Sequence, residues 1–70
     1  MAVRIKDSWE KLMGKSIMGH TTEIYIKGKK LYVKFDSAAL KEELSYSREK
    51  VVKMVNEELD DDVIDEIILR

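Results

Sequence analysis

Two tyrosines, Tyr25 and Tyr32, stand among four lysines, Lys27, Lys29, Lys30 and Lys34, within one short stretch of the chain. Aromatic rings offer flat faces on which nucleobases stack, and ammonium groups neutralise phosphates. Interleaving the two is one way to hold nucleic acid. The same residue types also suit packing against a partner protein or a second copy of the chain, and tyrosine is at home on a plain sheet surface. All three readings stay open at the level of these residues. Lys15, nearer the N-terminus, is a further candidate phosphate contact.

Other reactive residue types are sparse. His20 is the single histidine and follows Gly19, a helix-stopping residue. With no cysteine and no second histidine it lacks the company of a zinc site, so its expected role is hydrogen bonding in a helix-to-strand turn. Asp60, Asp61 and Asp62 lack the alternating ligands, central glycine and distal glutamate of a calcium loop, and read as a solvated turn. Met13, Met18 and Met54 read as core filler. No phosphate-cradling glycine loop, nucleophile elbow or paired-histidine metalloprotease motif occurs. The expectation is a non-enzymatic binding module without catalytic, cofactor or metal sites.

Strands must position the tyrosines and lysines. Ile24 and Ile26 alternate with Glu23, Tyr25 and Lys27, and Leu31, Val33 and Phe35 alternate with Lys30, Tyr32 and Lys34. Lys27-Gly28-Lys29 between the runs predicts a β-hairpin with a short basic tip. Its apolar residues share one face; the tyrosines with Lys27, Lys30 and Lys34 share the other. Before the hairpin, Ile5, Trp9, Leu12, Met13 and Ile17 recur at helical spacing. That stripe predicts a helix from near residue 3 to Gly19, with a capping box from Asp7 to Glu10 as the later alternative start. Gly14 inside it marks either a kink or a close approach to the sheet.

After the hairpin, Asp36 and Ser37 suit the cap of a helix beginning at Ala38, and Leu40, Leu44, Val51, Val55 and Leu59 keep the helical period. One unbroken helix there would run ~33 Å at ~1.5 Å per residue, against ~17–20 Å for a typical strand. A break at Ser45-Tyr46-Ser47 is therefore expected, with Ser47 capping the second helix. Val63 to Leu69 reads as a third strand, with Val63, Ile67 and Leu69 facing inward. Ile64 and Ile68 then join Tyr25 and Tyr32 as candidate protein-interface residues. The expected fold class is α+β: one domain over residues 1–70, a two-layer α-β-β-α(α)-β sandwich. Its three-stranded sheet carries the helices on one face, and the third strand runs parallel to the second.

Composition sets the limits. A chain of 70 residues, 44% hydrophobic and 39% charged, is too apolar for disorder and has no cysteine to staple it. At this size only about 60% of the unfolded surface is buried on folding, so the core is small. No apolar run approaches the ~18 residues of a membrane span, and nothing resembles a signal peptide; a soluble, cytoplasmic domain without membrane contact is expected. The net charge of −1 is unevenly divided, with +5 over residues 1–34 and −6 over residues 35–70. Near-neutrality therefore leaves a basic surface available.

The segments "SWEKLMG", "GHTTEIYIKGKKLYVKFDSAALKEELSYSREKVVKMVNEEL" and "VIDEIILR" resemble the DciA-like family. The shared pattern is an ordered set: Trp9 and Gly14, then His20-Thr21, Leu31-Tyr32-Val33, Ser37-Ala38, Glu43-Leu44, Asn56 and Ile67. The resemblance covers nearly the whole chain and implies a fold similar to the K-homology (KH) type. It also implies a non-enzymatic accessory to bacterial DNA replication whose partners are DNA and the replicative helicase, as helicase loaders or operators. A homodimer or other protein-only module is the alternative. Ser45-Tyr46-Ser47-Arg48 stands where RNA-binding KH domains carry a glycine-rich backbone clamp; without glycine, single-strand clamping at that turn is not expected.

Overall fold

The computed structural model describes residues 5–70. The hairpin forms as the alternation predicts: β1 (Thr21–Lys27) and β2 (Lys30–Phe35) pair antiparallel, with Tyr25 opposite Tyr32 and Lys27 opposite Lys30. The turn is Gly28-Lys29 alone, both at positive φ (54° and 61°). This two-residue type I′ geometry matches the twist of the strands it joins. A lysine in the left-handed region costs roughly 1–2 kcal/mol, and the sheet holds it there: the Asp65 N–H donates to the Lys29 carbonyl at 2.8 Å. β3 (Glu66–Leu69) pairs parallel to β2, giving the order β1-β2-β3.

Three helices, α1 (Ile5–Gly19), α2 (Ala38–Ser45) and α3 (Arg48–Leu59), cover one face of this sheet. Ile5, Trp9, Leu44, Val51 and Val55 from the helices meet Ile24, Leu31, Val33, Phe35 and Ile67 from the strands in one buried cluster. Met13 and Met18 pack against it. The expected α+β layering is what the chain adopts, with no helix among the described residues long and apolar enough to cross a membrane.

Local details correct several expectations. α1 is already helical at Ile5, which places Asp7 in the first turn and removes the capping-box start; residues 3 and 4 lie outside the described residues. Gly14 has φ 86° and ψ 169°, a conformation open essentially to glycine alone. A Cβ there would meet nothing within 4 Å, so Gly14 makes a kink and not a close approach. Trp9, fully buried, donates its indole N–H to Thr21 Oγ1 at 3.1 Å, and the Thr21 hydroxyl donates to the Ile17 carbonyl at 2.8 Å. One hydroxyl thus ties both halves of the kinked helix to the start of β1.

The break between α2 and α3 falls at Tyr46-Ser47 as expected. Ser37 caps α2, its Oγ accepting the Leu40 N–H at 3.4 Å, while Asp36 turns away to pair with His20. Ser47 occupies the cap position of α3, but its side chain makes no capping bond; its carbonyl accepts the Val51 N–H at 2.9 Å.

The third strand is shorter than its apolar run. Asn56 on α3 clasps the segment before it: its Oδ1 accepts the Val63 and Ile64 N–H groups, each at 3.0 Å, and its Nδ2 donates to the Ile64 carbonyl at 2.7 Å. The chain then bends at Asp65, so strand alternation starts only at Glu66. Ile64 consequently drops into the core, 2% exposed, and is not on the tyrosine face where unbroken alternation would put it.

Replacing Asn56 with Ala strips three main-chain groups of their partner and should cost about 1–3 kcal/mol in urea unfolding. Gly14→Ala should lower stability by roughly 1–2 kcal/mol despite the open space around it, because φ is wrong for alanine; a raised urea midpoint would contradict the kink.

Candidate nucleic-acid interface

Because every helix packs on the other side, the outer face of the sheet belongs to the alternate residues of the strands. The registers set Glu23 beside Lys34, Tyr25 beside Tyr32 beside Ile68, and Lys27 beside Lys30 beside Glu66. The two tyrosine rings stack, with centroids 4.9 Å apart and planes 10° from parallel. Arg70 continues the β3 ladder, its N–H donating to the Val33 carbonyl and its own carbonyl accepting the Phe35 N–H. Its guanidinium lies 5.1 Å from the Tyr32 ring centroid, a cation–π contact.

The face therefore has an aromatic and aliphatic middle row between two charged rows. Lys27, Lys30, Lys34 and Arg70 outweigh Glu23 and Glu66 there. The Lys30 Nζ–Glu66 Oε2 pair is 3.8 Å long with both side chains about half exposed, so it contributes little and leaves the lysine available to an incoming anion. Lys29 projects from the turn at the end of the same hairpin.

Of the residues expected to bind nucleic acid, Lys27, Lys30, Lys34, Tyr25 and Tyr32 share this face and Lys29 stands at its tip. Lys15 lies apart, on α1 in the helical layer, along a shallow groove with Asp7, Glu10, Lys11 and Gly14. Its neighbour Lys11 is already paired, with Glu58 of α3 at 2.9 Å. Ile68 is on the tyrosine face; Ile64 is in the core. Arg70, Glu23 and Glu66 complete the face without having been singled out from sequence. Counting by twos from Ile68 reaches both Glu66 and Arg70, so the signal was present once the strand was placed.

The acidic half of the chain gathers elsewhere. Glu49, Glu57, Asp60, Asp61 and Asp62 line a groove along α3 and the turn after it, where Asp60 takes the left-handed conformation (φ 54°) of a helix end. Among the described residues no group of three or more histidine, aspartate or glutamate side chains is placed to hold a metal ion. At the open end of the hairpin, His20 Nδ1 lies 2.8 Å from Asp36 Oδ1, both side chains 52% exposed, and the Asp36 N–H donates to the His20 carbonyl at 3.0 Å. This pair links the strands where the helices leave them.

A family model described as "Dna[CI] antecedent, DciA" matches residues 2–69. The chain belongs to the DciA family, as the resemblance of its sequence implied. Membership carries a role in loading the bacterial replicative helicase, as an accessory and not as a known enzyme. Comparison with curated proteins and with solved structures gives no match.

The stacked tyrosines should be energetically coupled. A double-mutant cycle with Tyr25→Leu and Tyr32→Leu should return about 0.5–1.5 kcal/mol of interaction in denaturant unfolding; additivity within error would mean that the rings do not stack in solution.

Proposed function

We propose that this chain assists the replicative helicase by contacting DNA through the outer face and tip of its hairpin. The observation that carries the reading is the convergence of Lys27, Lys30, Lys34 and Arg70 around the Tyr25–Tyr32 stack, on the sheet face that no helix among the described residues covers. Phosphates meet the flanking cations, and the tyrosine pair supplies an aromatic floor between them. The acidic α3 groove, in the helical layer, directs a polyanion to this side and away from the other. The helix-strand-strand-helix-helix-strand order supports the KH-like reading of the fold. The turn that would be the clamp of such a fold holds Tyr46 and Arg48 and no glycine, which favours the sheet face over the turn.

The middle row also suits a protein partner, because Tyr25, Tyr32 and Ile68 are contiguous and two carboxylates interrupt the lysines. Salt separates the two. Affinity for labelled DNA should fall steeply between low and moderate salt, and Lys27→Ala, Lys30→Ala and Lys34→Ala should each flatten the log–log salt slope by about one unit or slightly less. Lys15→Ala should leave the slope unchanged. Absence of binding at low salt would remove DNA from this reading, and helicase capture untouched by joint Lys27, Lys29 and Lys30→Glu replacement would favour a protein-interaction module.

A further inference from the structure

β1 is an edge strand: it pairs with β2 on one side and with nothing among the described residues on the other. Which of its main-chain groups are left over follows from the sheet itself. β2 points the main-chain groups of Lys29, Val33 and Phe35 at the third strand and its continuation, where they bond Asp65 and Arg70. Its alternate residues, Lys30, Tyr32 and Lys34, therefore point theirs at β1, and engage their partners Lys27, Tyr25 and Glu23. Ile24 and Ile26 are then the residues whose N–H and C=O groups point outward, and no other main-chain bond reaches them. A row of unpaired strand groups of this kind is a template for another strand.

The side chains along that edge name the strand that fits. Glu23 and Lys27 sit one alternation either side of Tyr25 on the outer face, both exposed, and neither makes an ion pair among the described residues. Tyr25 uses one ring face against Tyr32; the other is directed away from β2, over the free edge. We infer that this edge pairs with the same edge of a second copy, antiparallel and centred on Tyr25, joining two sheets into one of six strands.

In that register Ile24 faces Ile26 of the second copy and the reverse, so the outward N–H and C=O groups of both residues are satisfied on both chains. Glu23 of each copy meets Lys27 of the other, twice by symmetry. The two Tyr25 rings meet at the axis as a closely spaced, non-hydrogen-bonded pair, extending each Tyr25–Tyr32 stack into a row of four rings. Centring the axis on Ile24 or on Ile26 sets Glu23 or Lys27 against Tyr25, and leaves the outward groups of the other isoleucine opposite the bulge between Thr21 and Glu23 or opposite the turn at Gly28. The opposite charges two residues either side of Tyr25 select the register. A contact this small makes a weak, reversible dimer, which doubles the basic sheet face.

Analytical ultracentrifugation across a concentration series reads this directly. The mass should rise from 8.2 kDa toward twice that value, with the association weakening as salt is added. Lys27→Glu sets glutamate against Glu23 across the axis and should weaken dimerisation by about tenfold or more. Within its own hairpin it relieves the Lys27–Lys30 repulsion, so the fold, followed by thermal unfolding, should not suffer. Combining it with Glu23→Lys restores opposite charges in the same register and should return most of the lost affinity. A monomer at every concentration, a dimer indifferent to Lys27→Glu, or a loss that the double replacement fails to repair would overturn the inference.

Discussion

Two residues set the register of the hairpin from Glu23 to Lys34, up to the bulge between Thr21 and Glu23. Gly28 and Lys29 turn the chain with both φ values positive, and that turn makes Lys27 face Lys30 and Tyr25 face Tyr32. Strand side chains alternate with a period of two, so a slip of one residue would carry Leu31, Val33 and Phe35 to solvent and the lysines into the core. Everything the sheet does follows from this choice of face: the helices have one apolar surface to cover, the cations have one surface to share, and the tyrosines meet ring to ring. The strain of a left-handed lysine is tolerated at the turn because the next strand fastens to the Lys29 carbonyl.

The small core explains why a few polar bonds matter so much here. With so little apolar surface available at this chain length, packing alone fixes the ends of elements poorly. Two clasps compensate. The Thr21 hydroxyl joins the buried Trp9 indole, the far half of the kinked α1 and the start of β1. Asn56 holds the segment before β3 by three bonds and decides that Ile64 is a core residue. Trp9, Gly14, the His20-Thr21 pair and Asn56 all belong to the pattern by which the chain resembles its family. In this structure they are a buried anchor, a kink, the junction of helix and strand, and a loop clasp, and each shapes the scaffold and not the outer face.

Periodicity made the architecture legible, and its limits are equally physical. The alternation around Gly28-Lys29 and the helical stripe through Leu44, Val51 and Val55 reported their elements because each strand or helix buries one face. The break at Tyr46-Ser47 followed from helix length against strand length. What alternation could not report was where it stops. Val63 and Ile64 look like strand because they are apolar and β-branched, yet a side chain from the last turns of α3 takes their main-chain groups. The asparagine was visible; its partners were not. Likewise Lys15 counted with the hairpin lysines by charge, whereas the kinked helix carries it to the other layer.

A nearly neutral chain thus carries the basic residues of the hairpin outward on the sheet, while a groove along α3 gathers five carboxylates around Lys53. If DNA lies on the uncovered sheet face, amide chemical-shift mapping during titration with a DNA oligonucleotide should show the largest shifts on residues 23–34 and 66–70, with α3 nearly silent. Shifts confined to the Tyr46–Lys50 turn or to α1 around Lys15, with the hairpin unmoved, would contradict it.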